Sequence, residues 1–151
     1  MSTGLLFNCD AEVGRWLLTL KGSPYFKFDR CIGIIKDTHL VGAVIFHGWN
    51  GADLEMSYYG HSTLTLGIVR SISAFTLEEF DLARVTCITS KKNRHLMKSL
   101  QKLGFKLEGM QRCHYGKLDC NRNTGVRFVL FREGIERLAF GIHRKATQCL
   151  A

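Results

Sequence analysis

Asn93 closes a short apolar run and opens a basic amphipathic segment. The stretch 83–109, ARVTCITSKKNRHLMKSLQKLGFKLEG, reads as strand, Asn, helix and second strand. An asparagine side chain at a strand end can bind backbone or ligand amides. It can equally cap the helix behind it. Lys91, Lys92, Arg94 and Lys98 surround it with positive charge, which suits either an anionic ligand or a solvated helix face. Upstream, Ser62, Thr63, Thr65 and Gly67 open a helical period. Hydroxyls there can cap the helix, and a helix N-terminus can hold a phosphate.

Other chemistry is less well supported. Six cysteines occur, at 9, 31, 87, 113, 120 and 149, and none form a CxxC pair. Cys31 and Cys87 fall in apolar runs and read as reduced structural thiols. Cys113, His114 and Cys120 lack the paired spacing of a zinc site, so no metal is expected. The net charge of +8 and a pI near 9.4 imply an anionic partner, either a phosphorylated ligand or a nucleic acid such as tRNA.

The elements that must position these groups can be read from periodicity. The chain of 151 residues fits one compact domain over 1–151. Pro24 is its single proline, no linker or repeat divides it, and 46% hydrophobic content argues against disorder. No apolar stretch approaches the roughly 18 residues of a membrane span. No secretory leader is apparent, so a cytoplasmic location is expected. Residues 4–8 suggest an edge strand. Asp10 is the expected N-cap of a helix to about Lys21, with Val13, Trp16, Leu17 and Leu20 inward. The runs 31–36 and 40–47 predict a hairpin, and 53–59 (DLEMSYY) a fourth strand.

From about Thr63 to Phe80 the period becomes helical, with Leu64, Ile68, Ile72 and Phe75 inward. Strand 83–89 and helix 92–103 follow. On that helix Leu96, Leu100 and Leu103 make one face, and Gly104 suits a left-handed C-cap. Strands over 105–113 and 126–132 flank a polar turn. An amphipathic helix is expected over 134–146.

Strand, Asn, helix, Leu103-Gly104-Phe105, then a strand carrying Glu108-Gly109: this order resembles the second half of a GCN5-related N-acetyltransferase domain. The resemblance is most specific over 52–113, and the look is nearest the ribosomal-protein and N-terminal acetyltransferase branch and divergent phage-encoded members. It implies an α/β (α+β) fold with a mixed, mostly antiparallel sheet splayed between its fourth and fifth strands and flanked by helices. It implies acetyl-CoA as the acetyl donor and an amine as acceptor: a protein lysine or N-terminus, an aminoacyl-tRNA or a small amine. A homodimer is among the assemblies this reading allows.

The resemblance also implies roles. The pyrophosphate of CoA would lie at Ser62, Thr63, Thr65 and Gly67, the frame of the family's Gly-rich loop, of which only Gly67 is retained. Backbone groups of Tyr58 and Tyr59 would pair with the pantetheine amides. Asn93 would contact the cofactor, and Lys98 with its neighbours would meet the 3′-phosphate. Glu55 would be the general base. The family's helix tyrosine, seven residues past the Asn, is replaced by Leu100, so Tyr59, Tyr115, a histidine such as His61, or water would supply the proton. Two other readings stand beside this one: a module that keeps the fold without catalysis, and a basic nucleic-acid-binding protein.

Overall fold

The computed structural model describes residues 3–20, 27–60 and 64–141. Its elements, in chain order, are β1 (Thr3–Leu6), α1 (Asp10–Leu18), β2 (Arg30–Lys36), β3 (His39–His47), β4 (Asp53–Gly60) and α2 (Leu66–Glu79). There follow β5 (Arg84–Ser90), α3 (Arg94–Lys102), β6 (Lys106–Gln111), β7 (Gly125–Phe131) and α4 (Arg132–Phe140), with a 3-10 turn at Asn121–Asn123. The predicted order of strands and helices holds, with ends shifted by a few residues. The expected helix over 134–146 is described only to Phe140, and its positions beyond 141 lie outside the described residues.

The strands form one seven-stranded sheet in the order β1-β2-β3-β4-β5-β7-β6. Every neighbouring pair is antiparallel except β4 and β5, which are parallel. A parallel neighbour needs a crossover, and α2 supplies it. α1 covers one face through Val13 and Leu17, packed on Cys31, Ala43 and Ile45. The larger core lies on the other face, where Ile68, Ile72 and Phe75 of α2, Leu100 of α3 and Ile135 of α4 cover both halves of the sheet.

Local chemistry explains several junctions. The β2–β3 turn places Asp37 and Thr38 at φ 50° and 69°, the left-handed pair a two-residue hairpin requires. Asp10 is not the cap of α1; Cys9 holds that position, without a side-chain bond. Asp10 sits in the first turn and instead accepts from Arg30 Nε at 2.9 Å and from the Cys31 N–H at 3.3 Å. Arg30 also bonds Asn8 and Glu79 and lies over the Phe75 ring, tying β2 to the β1–α1 junction and to α2. Gly104 closes α3 at φ +101°, as its position predicts. Gly60 ends β4 at φ +141°, where a Cβ would fall 2.5 Å from the Val41 carbonyl oxygen, so no larger residue fits.

Candidate active site

The pairing of β4 with β5 stops early. It covers Asp53 with Arg84, Leu54 with Val85 and Glu55 with Thr86. Beyond that, β4 stays on β3 as far as Gly60 and β5 stays on β7 as far as Ser90. The two strands therefore diverge with unpaired edges facing each other. A cleft of about 980 Å³ fills the gap and runs between α2 and α3.

Below the divergence the strands are fastened. Thr86 Oγ1 donates to Asp53 Oδ1 at 2.9 Å, and Arg84 Nη2 donates to Thr86 Oγ1 at 3.2 Å. Arg84 Nε lies 3.4 Å from Asp53, the same guanidinium pairs with Glu108, and it stacks over Phe131. Glu108 is held below its usual carboxylate range, chiefly by the hydrogen bond from Arg84.

Residues of β4 alternate across the sheet. Met56 and Tyr58 join the core beneath α2, while Tyr59 packs on the α1 side. Glu55 shares the parity of Tyr59 and faces His47 on the neighbouring strand. Its Oε2 lies 3.5 Å from His47 Nδ1, and His47 Nε2 is 3.0 Å from Ser57 Oγ. Both Glu55 and His47 line the cleft, as do Tyr58, Tyr59 and Asn93.

A further group reaches this point from the segment between β6 and β7. That segment is braced by Arg112 on Asp119 and by Asn123 Nδ2 donating to the Leu118 carbonyl at 2.8 Å. The Tyr115 N–H donates to the Asn123 carbonyl at 3.0 Å, which directs Tyr115 and His114 to the cleft. Burial pushes the Tyr115 hydroxyl up to about 12, helped by Cys87, Tyr59 and Glu55 nearby. Burial likewise raises Tyr59, with Glu55 adding to it. Cys87 is pushed up to about 12 by burial, then by Glu55, and stays a thiol. A carboxylate beside protonated hydroxyls can take a proton at one point and return one at another.

The residues expected around a phosphate divide. Ser62 and Thr63, with His61, lie outside the described residues. Thr65 is the N-cap of α2, and its Oγ1 accepts from the Ile68 N–H at 3.3 Å. That leaves the first-turn N–H groups of Leu66 and Gly67 with no carbonyl four residues back in the helix. Gly67 is helical and exposed, and a Cβ there would meet nothing closer than Thr65 Oγ1 at 3.9 Å. The fold itself does not require this glycine.

Asn93 caps α3, its Oδ1 accepting from the Leu96 N–H at 3.2 Å, while also lining the cleft. Lys98 is exposed and is not among the cleft-lining residues; on α3 that surface carries His95, Ser99 and Lys102 instead. The helical period alone could not have shown this, since 95, 98, 99 and 102 stand at i, i+3, i+4 and i+7 on one face. Sequence reasoning also missed Cys87 as a cleft residue.

No protein-family profile and no curated protein matches this chain. Solved structures do. Mutant forms of the spermidine/spermine N-acetyltransferase SpeG from Vibrio cholerae align with a TM-score of 0.72 at 10% identity, over 89% of this chain and 97% of that one. Ribosomal-protein-S5-alanine acetyltransferase from Vibrio fischeri aligns at 0.55 and 14% identity, over 69% and 62% of the two chains. A GNAT-family acetyltransferase from Bacillus anthracis aligns at 0.53 and 16% identity, over 68% and 66%.

Proposed function

We propose that this chain, which has the fold of the GCN5-related N-acetyltransferases, is an acetyl-CoA-dependent N-acetyltransferase acting on an amine. The observation that carries the reading is the parting of β4 from β5 after Glu55 and Thr86 into a cleft that holds a carboxylate and three tyrosines. Unpaired strand edges offer backbone N–H and C=O groups, and a pantetheine arm carries two amides to meet them. The residues present fit the donor. Backbone groups at Tyr58 and Tyr59 would hold the arm, and the N–H groups of Leu66 and Gly67 the pyrophosphate. Ser62 and Thr63 would complete that cradle, with Asn93 and the cations of α3 contacting the nucleotide end.

The chemistry then follows from position. Glu55 takes a proton from the acceptor ammonium at a carboxylate oxygen, with His47 3.5 Å away to orient it. The amine nitrogen bonds to the thioester carbonyl carbon, the C–S bond breaks, and the amide forms. Tyr115, protonated at neutral pH, gives a proton to the departing sulfur and regains one as the new amide nitrogen sheds its second proton. Leu100, on the buried face of α3, has no proton to give. Tyr59 stands beside Glu55 and orders the acceptor. Much of the acceleration would come from orientation.

The acceptor classes in view are a polyamine, a protein N-terminus or lysine, and an aminoacyl-tRNA; the +8 charge favours an acceptor attached to a polyanion. The test is to incubate the protein with isotope-labelled acetyl-CoA and each of spermidine, a short peptide and an aminoacyl-tRNA, reading the amide by mass spectrometry. Label should appear in at least one class and form about 10²-fold more slowly with Glu55→Gln. Binding of acetyl-CoA without transfer to any class would favour a non-catalytic module of the same fold.

A further inference from the structure

The cleft does not end where an acetyl group would. Its walls continue past the point where β4 and β5 part. Val85 belongs to the paired stretch, opposite Leu54, yet it lines the cleft. Leu130, its partner across on β7, lines it too. Along α2 the lining runs from Leu66 to Thr76, about 15 Å at 1.5 Å per residue. Since α2 leads away from the open ends of the strands, Thr76 marks the inner end, and Ile135 and Leu138 of α4 close it.

This inner end is apolar. Its two hydroxyls are engaged within their own helix: Ser73 Oγ donates to the Val69 carbonyl at 2.8 Å and Thr76 Oγ1 to the Ile72 carbonyl at 2.7 Å. They therefore present carbon to the space. Lys102, at the end of α3, is exposed and stands at the rim. Such a wall suits neither an amine nor a phosphate. Protein interiors are otherwise close-packed, and an apolar void forfeits the contacts a chain would restore.

We propose that this inner end receives the hydrocarbon chain of an acyl-CoA longer than acetyl, so that the preferred donor is a linear, medium-chain acyl thioester. The inference rests on the acyltransferase reading given above and specifies its donor. The transfer is otherwise unchanged: the amine nitrogen bonds to the acyl carbonyl carbon, the C–S bond breaks, Glu55 takes the amine proton, and CoA leaves as the thiol.

The experiment is calorimetric titration of the full chain with CoA, acetyl-CoA and octanoyl-CoA, repeated on Ser73→Leu and Leu138→Phe, which fill the space from two different helices. A fully buried methylene is worth about fourfold in affinity, so six of them, buried even in part, should make octanoyl-CoA bind at least about tenfold tighter than acetyl-CoA. Either filling variant should bring that ratio close to one. Far-UV spectra identify a variant that does not fold, in which case the other variant and the wild-type ratio decide. Equal affinity of the wild-type chain for acetyl- and octanoyl-CoA would overturn this inference and leave the acetyltransferase reading standing. Failure to bind any of the three would overturn both.

Discussion

The two ends of the β4–β5 pair make opposite use of similar strands. At residues 53–55 and 84–86 the backbones are hydrogen-bonded, and Arg84 gathers Asp53, Thr86, Glu108 and Phe131 around itself. At 56–60 and 87–90 the same strands separate, and the space between them is bordered by Glu55, Tyr58, Tyr59 and Cys87. Unpaired backbone normally invites another strand or water. Here it persists because each strand is secured on its outer side, β4 by β3 and β5 by β7, while the ionic fastening below prevents the gap from spreading. The proposed site lies where pairing is withheld, and the ionic fastening where it is completed.

The largest effect should come from the open end. Glu55→Gln keeps the shape and removes the base, so acetyl-CoA should still bind while turnover falls about 10²-fold or more. Full turnover across pH 6–9 would make Glu55 structural. Tyr115→Phe should lower kcat about tenfold, less than the range for an obligatory acid, because the half-exposed position lets water supply a proton. An unchanged kcat alongside a raised KM would reassign Tyr115 to binding.

At the closed end the expected effect is smaller and of another kind. Arg84→Met keeps the packing stem and leaves Asp53 and Glu108 without their cation. Such partly exposed ion pairs are worth about 1 kcal/mol, so Tm should drop by about 2–4 °C. A loss of acetyl-CoA affinity larger than the loss of stability would show that the fastening also shapes the cleft.

The smallest effect is pH-linked. Cys87 and Tyr115 have ordinary values of 9.0 and 10.0, and both rise to about 12 in the native state. The unfolded chain therefore releases protons that the folded one retains. Stability is fully present below pH 9 and declines as pH rises from 9 towards 12. Cys87→Ala should flatten the early part of that decline in thermal melts; an unaltered slope would remove Cys87 from the explanation.

The sequence made the frame legible where a period ran long enough. Leu96, Leu100 and Leu103 marked α3, Gly104 its end, and the apolar runs at 31–36 and 40–47 the central hairpin. Glu55, Tyr58, Tyr59 and Asn93 were brought together by the family resemblance rather than by periodicity, and all four border the cleft. Three features were not legible. Asp10 looked like a cap but serves Arg30, twenty residues on, and no local signal reports a distant guanidinium. Lys98 resembles its neighbours by charge and by helical period belongs with His95, Ser99 and Lys102, yet it does not line the cleft. The inner apolar end is built from α2, β5, β7 and α4 together, and residues that read as ordinary core in each element become the wall of a void only when assembled.

The central claim, that the open end of β4–β5 is an acyl-CoA site, is tested most directly by amide hydrogen exchange of the full chain with and without saturating acetyl-CoA. The account predicts new protection in residues 56–60 of β4 and at Leu66 and Gly67, with residues 53–55 and 84–86 already slow and unchanged. Exchange left unaltered at both open-end segments under saturation would contradict it.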